Sequence, residues 1–288
     1  MAARLTETSS HSTTVWSVAY QTIGGGIVYP FLVLACVVPS RARSYWAAGR
    51  AVSPAHARAL LPAVALGYVA PTVLMYAPQS DDAGLTQLKI AAWQFAPVYV
   101  NVLLFLLTFS LYPAPSEAGG PRRDGADAEA EADIPALKRL YWVLYLVAAA
   151  THVGTLATVL GPWNPDPARV SLATVFVPSV AHRSQGSPFQ AVHYVFQWDV
   201  WGIYGAGLFW CLVELWDLLR LGVGLGVQDS EVKARAGSRV LALAAAALFL
   251  AAGSVVVGPA AVMAAFWMWR EDKLARVERR LSARAKLA

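Results

Sequence analysis

The chain has 288 residues, of which 57% are hydrophobic and only 14% charged, with a mean hydropathy of +0.47; soluble domains carry roughly 25% charged residues. So little polar surface excludes an ordinary soluble enzyme, and two cysteines, Cys36 and Cys211, each inside an apolar stretch, exclude both a disulfide framework and a zinc site. The formal charge of +5 comes from short basic clusters beside apolar segments rather than from basic residues interleaved with surface aromatics, so the expected partner is the lipid bilayer and not nucleic acid.

The first fifteen residues are polar, with the single basic residue Arg4, and the apolar stretch at about 16–38 ends in Ser-Arg-Ala-Arg. It is too long for a cleaved signal core and reads as a retained anchor. Its Gly24-Gly25-Gly26 run lacks a preceding strand and a following lysine, so it is not a phosphate loop but a site of close helix packing or a kink. Further apolar runs of roughly 20 residues, the length that crosses about 30 Å of hydrocarbon, lie at about 58–77, 90–112, 138–160 and 193–219. A sixth region, about 239–269, is too long for one untilted span and is interrupted by Gly258-Pro259. A seventh candidate, Val170 to Ala181, is short and contains Pro178.

With five full spans and one crossing at 239–269, the basic tail lies across the membrane from Arg41, Arg43, Arg122, Arg123, Lys138 and Lys233. One more crossing, at 170–181 or as a hairpin within 239–269, returns it to their side, as the positive-inside rule prefers. The expected architecture is therefore all-α, a polytopic transmembrane helical bundle of about seven spans, forming a single transmembrane domain over 1–288. Residues 113–136, rich in Pro, Gly, Ala and acids, read as a disordered polar linker. Residues 270–288 read as a basic cytosolic tail, helical on an anionic membrane surface. No internal repeat or inverted symmetry is visible.

An ionisable side chain inside a span is costly and marks a functional site by default. The acids fall in predicted loops or tails except Asp199, Glu214 and Asp217, all in the fifth span. Asp199 and Asp217 share a face but stand about 27 Å apart along the helix, so one pocket cannot hold both. Glu214 and Asp217 lie near Arg220, where i,i+3 pairing and interfacial water would satisfy them. Asp199 lies among Tyr194, Phe196, Trp198, Trp201 and Tyr204. A carboxyl group in apolar surroundings can stay protonated and act as an acid, and aromatic faces stabilise a developing cation without quenching it. Against this stands a structural role, with Asp199 hydrogen-bonded to a neighbouring helix or placed in the headgroup region. Gln94, Asn101, Thr151, His152, His193 and Gln197 are further polar groups inside spans; such residues usually join helices, while His152 and Gln94 can also position the acid or meet a substrate oxygen.

Several chemistries are excluded. Magnesium-dependent prenyl transfer needs Asp-rich clusters, and the only adjacent pair is Asp81-Asp82 in a loop; a retinal protein needs a lysine in its last span, and 239–269 has none. Neither Gly-x-Ser-x-Gly nor His-Glu-x-x-His occurs. No metal and no cofactor is expected.

The string Phe196-Gln197-Trp198-Asp199 followed by Gly202, Gly205 and Trp210, with Phe176-Val177-Pro178 upstream, resembles the fungal integral-membrane terpene cyclases of meroterpenoid and indole-diterpene biosynthesis. So do Leu61-Pro62, Gly67-Tyr68 and Pro71-Thr72 in the second span, and Trp93-Gln94 with Pro97 in the third. The resemblance runs from about residue 58 to 215. It implies a metal-independent cyclase that protonates a terminal epoxide or alkene of a prenylated aromatic or indole intermediate. Asp199 would then be the acid, with His152 or no residue as its partner. Trp93, Trp198, Trp201 and Tyr204 would line the cage, and Gln94, Tyr194 and Gln197 would complete the substrate contacts. The resemblance also implies the endoplasmic reticulum membrane, and other pathway enzymes at the same membrane. Two rival readings remain: a transporter in which Asp199 and His152 serve a proton or solute path, and a scaffold that holds pathway enzymes through its basic tail.

Overall fold

The computed structural model describes residues 15–37, 52–77, 82–110, 132–180, 187–220 and 236–287, and among these there is no strand. In chain order the helices are α1 (15–23), α2 (Gly25–Val37), α3 (Pro54–Tyr76), α4 (Ala83–Gln94), α5 (Ala96–Ser110), α6 (Ile134–Leu160), α7 (Leu172–Phe176), α8 (Pro188–Arg220), α9 (Ala236–Val256) and α10 (Pro259–Leu287). The all-α transmembrane architecture is as expected. Large apolar side chains such as Phe31, Leu74, Phe105, Leu241 and Phe249 face outward along these helices, which is what lipid as solvent permits.

Length and apolarity qualify α3, α6, α8 and α9 as spans among the described residues, or five spans when the bent pair α4–α5 counts as one. Seven is not reached on these criteria, and glycine and proline are the reason. Gly24, at φ +113°, divides the first apolar stretch into α1 and the 13-residue α2. Pro97 lacks the N–H that would bond the carbonyl of residue 93, and the chain bends by 52° between α4 and α5. In the described part of the 170–181 candidate, residues 170–180, the helix α7 has five residues, a length of about 7.5 Å and too short to span. Gly258, at φ +95°, ends α9. A methyl group on Gly253 would lie 2.8 Å from Val262 Cγ2, whereas nine residues along a straight helix span about 13 Å. The chain therefore doubles back at Gly258.

The chain divides into two compact units. The first comprises Met1–Gln21, Trp46–Leu140 and Leu274–Ala288. In it α3 carries a π-helical turn over Ala65–Val69, two residues before Pro71, whose missing N–H breaks the regular ladder. The turn brings Gly67 against α5 so closely that a Cβ would meet the Val100 amide nitrogen at 2.7 Å. The 113–136 linker lies outside the described residues up to 131; at its far end Asp133 is 1% exposed and its Oδ2 accepts the Val52 N–H at 2.9 Å. The basic residues of the 40s, 120s and 230–235 also lie outside the described residues.

The second unit comprises Thr22–Tyr45 and Tyr141–Lys273. Its axis is α8, which packs against α2 through glycines: a Cβ on Gly202 would lie 2.5 Å from the Gly26 carbonyl oxygen. Cys211, Leu250 and Val262 form a buried cluster, flanked by Val257, Met263 and Phe266, that joins α8, α9 and α10.

Candidate functional site

Asp199 stands on α8 directly opposite the break between α1 and α2. A helix start leaves four backbone N–H groups without intrahelical partners, and in lipid no water is at hand to take them. Asp199 reaches across, and its Oδ1 accepts the Gly26 N–H at 2.9 Å. The approach depends on missing side chains. A Cβ on Gly24 would lie 3.2 Å from Asp199 Oδ1, and one on Gly26 would lie 2.8 Å from Asp199 Cα and 2.9 Å from Oδ1. The carboxyl group is half-buried, and among the described residues Oδ2 takes no hydrogen bond. The structural role weighed for Asp199, a bond to a neighbouring helix, is thus present, and it occupies one oxygen of the two.

The polar side chains of the same helix face another way. His193, Gln197 and Trp201 follow one another at four-residue intervals, close to one helical turn. His193 Nε2 donates to the Thr174 carbonyl at 2.8 Å, Gln197 Nε2 donates to the Thr174 and Val175 carbonyls at 2.8 and 3.3 Å, and Trp201 Nε1 donates to the Phe176 carbonyl at 2.7 Å. The reason lies in α7. This single turn is started by a Ser171–Thr174 capping box and stopped where Pro178 forces Val177 into an extended conformation. Its last carbonyls have no helical donors, so α8 supplies them. Gln197 is buried, and its Oε1 has no partner among the described residues.

His152 resolves the matching problem at the other break. Its Nε2 lies 3.0 Å from the Val255 carbonyl oxygen; a carbonyl only accepts, so Nε2 carries the proton. Its ring lies 6.2 Å from that of Phe176, and its Cβ sits against Gly258, where a Cβ would come within 2.8 Å. The two positive-φ glycines among the described residues are Gly24 and Gly258. Each meets one of the two ionisable residues singled out as catalytic: the acceptor Asp199 where N–H groups are free, the donor His152 where carbonyls are free.

Of the expected cage, Tyr194 and Trp198, five residues and one residue before Asp199, meet edge-on with ring centres 6.4 Å apart. Trp201 points its N–H to α7, about 200° around the helix from Asp199, so sequence proximity overstated the gathering of rings about the carboxyl group. Tyr204 is partly buried further along α8. Trp93 and Gln94 belong to the first unit, where Trp93 Nε1 donates to Thr72 Oγ1 at 2.9 Å and its ring lies 6.3 Å from that of Tyr68. Among the described residues no group of three or more His, Cys, Asp or Glu side chains is placed to hold a metal.

Sequence reasoning missed a second polar centre. Asp217 pairs with Arg220 as expected, at 3.1 Å. Glu214 does not: its Oε2 accepts from Arg270 Nε at 2.7 Å and its Oε1 accepts from Trp210 Nε1 at 3.1 Å, with every partner buried. Arg270 also bonds Glu271 at 3.2 Å, and its guanidinium lies 4.8 Å from the Trp267 ring centre. Burial by itself would lower the Arg270 pKa, and the Glu214 and Glu271 carboxylates outweigh it, so the net direction is upward. Lys273 is buried as well, 5.6 Å above Trp269. The expected surface tail thus begins as the buried inner part of α10. The legible signal was Trp267, Trp269 and Arg270 within one turn, a cation beside aromatics at the end of an apolar run.

The fold and site define a polytopic α-helical membrane protein with an acid and an imidazole each seated at a broken helix. The chain belongs to the CtvD domain family, whose profile matches residues 4–276. It is 25% identical over 224 residues to the FAD-dependent monooxygenase verC1 of Penicillium polonicum, covering 76% of this chain and 23% of that protein. It is 26% identical over 148 residues to the terpene cyclase ascI of Acremonium egyptiacum, covering 50% of this chain and 36% of that one. The chain therefore spans about a quarter to a third of the curated relatives' lengths. No solved structure matches. The resemblance to fungal terpene cyclases read from the sequence is borne out.

Proposed function

We propose that the protein is a membrane-bound terpene cyclase of specialised metabolism, in the endoplasmic reticulum membrane, and that it begins ring formation by protonating a terminal epoxide or alkene on a prenylated aromatic or indole intermediate. The similarity to ascI and the family membership support this class of reaction. The observation that carries it is Asp199, a half-buried carboxyl group in an aromatic segment of an apolar span, with one oxygen held and the other without a hydrogen bond among the described residues. The reading needs no metal, because a neutral carboxyl group delivers a proton by itself. Opening the epoxide leaves a tertiary cation that the polyene attacks, and the faces of Tyr194 and Trp198 stabilise positive charge without becoming nucleophiles. The last cation loses a proton, so the substrate is isomerised overall.

The test uses membranes from cells expressing the chain and, as probe, a phenol bearing a terminally epoxidised farnesyl chain. The expected result is a cyclised isomer from the wild type and at least a hundredfold less from Asp199→Asn, at equal protein level. No conversion by the wild type, or undiminished conversion by the variant, overturns the reading.

One observation favours a transporter instead: a broken helix with a charged partner at the break is the device that many transporters use to bind solutes. That reading expects proton-coupled uptake into vesicles, lost when either Asp199 or His152 is replaced.

A further inference from the structure

Glycine spacing around Asp199 carries more information than packing requires. Three glycines leave less than 3.0 Å for a Cβ where α2 meets α8, namely Gly25 at Ile203, Gly26 at Asp199 Cα and Gly202 at the Gly26 carbonyl, and at Gly24, with φ +113°, a Cβ would lie 3.2 Å from Asp199 Oδ1. Yet Gly205, three residues along the same helix, has nothing within 4 Å of where its Cβ would stand. Glycine is thus needed where α2 meets Asp199 and is free of contact one turn away.

The bond they permit is directional. An N–H donates only to a lone pair, and in a neutral carboxyl group the carbonyl oxygen is the better acceptor. In the protonated acid that the cyclase reading requires, a Gly26 N–H at 2.9 Å on Oδ1 makes Oδ1 the carbonyl oxygen and leaves the acidic hydrogen to Oδ2. We infer that Gly24, Gly26 and Gly202 are positioning residues that orient the Asp199 proton, with the break at Gly24 serving as the rigid half of the acid. This rests on the cyclase reading and names the transferring atom. The Oδ2–H bond breaks as an O–H bond forms on the epoxide oxygen. The electron pair of the broken bond stays on Oδ2, and the proton lost by the final cation restores the acid.

The experiment compares Gly26→Ala, Gly24→Ala, Gly205→Ala and Asp199→Asn in the same membranes with the same epoxidised farnesyl phenol. The expected result for Gly26→Ala and Gly24→Ala is a kcat at least tenfold lower with KM within twofold, because orientation acts on the proton transfer and not on binding. Gly205→Ala should match the wild type. A simple packing defect would instead lower the amount of folded protein, read as the thermal midpoint in detergent, and leave kcat per folded molecule unchanged; that result overturns the inference. So does full activity in Gly26→Ala and Gly24→Ala when Asp199→Asn is inactive, an outcome that leaves the cyclase reading standing. Full activity of Asp199→Asn removes the acid, and the inference falls with it.

Discussion

At the scale of single residues, polar groups in this chain are best understood as answers to backbone problems. Asp199, His152, His193, Gln197 and Trp201 each bond a backbone group that a helix end leaves open. Any chemistry they perform must use the atoms left over, which for Asp199 is Oδ2. Glu214 and Arg270 behave differently, since they pair with each other at 2.7 Å with both side chains buried. Breaking a buried pair strands the surviving charge, at a cost of about 3–5 kcal/mol, while replacing both partners with apolar groups of similar volume is often neutral. Arg270→Met should therefore lower unfolding stability in detergent by about that amount, and Glu214→Leu combined with Arg270→Met should recover only part of it, because Glu271 still loses the Arg270 guanidinium and the Trp210 N–H loses its acceptor. A single variant as stable as the wild type would show the pair to be incidental.

At the scale of elements, proline and glycine decided where apolar runs become two helices. The runs themselves were readable, since every span expected from hydropathy contains helix in the structure. Their interruptions were only partly so. Gly258-Pro259 was readable as a break, because glycine reaches the left-handed region and proline cannot continue a helix. Gly24 was legible only as a packing or kink signal, because three glycines in a row do not say which one breaks. The 170–181 segment, one of two places offered for a further crossing, is apolar, but over its described residues Pro178 limits it to the single turn of α7, and α8 supplies the donors. Trp201→Phe keeps the ring and removes the donor, leaving the Phe176 carbonyl unpaired. The expected cost is about 1–3 kcal/mol, with faster hydrogen exchange confined to residues 172–177. Gly258→Ala should be worse than any nearby substitution, because it combines a φ of +95° with a clash against His152. Retention of normal membrane levels by that variant would contradict the hairpin.

At the scale of the whole molecule, the division into a lipid-facing exterior and small polar centres predicts how the protein partitions. It should stay in membranes after an alkaline wash and need detergent for release; recovery in the wash supernatant would contradict the transmembrane architecture. Deleting 271–288 separates the scaffold reading from the structure. A detachable surface tail would leave the membrane protein intact, whereas Glu271, Lys273, Leu274 and Ala275 are buried. The deletion is expected to lower the amount of folded protein several-fold in isolated membranes as well as in cells.

The sequence by itself determined the class of solvent, the helical content, the approximate spans and the rarity of acids within them, because hydropathy and charge are local properties summed along a chain. It also singled out Asp199, since an acid in an apolar aromatic run is conspicuous without coordinates. What faces that acid was decided by tertiary structure alone: Gly26 stands 173 positions away from it in the chain, and only packing brings a backbone N–H to its oxygen. The same holds for Glu214, expected to be satisfied by pairing and interfacial water near Arg220, whose partner is Arg270, 56 residues on. Hydrogen bonds and ion pairs are settled by distance in space, and a linear pattern records that distance only within a helical turn.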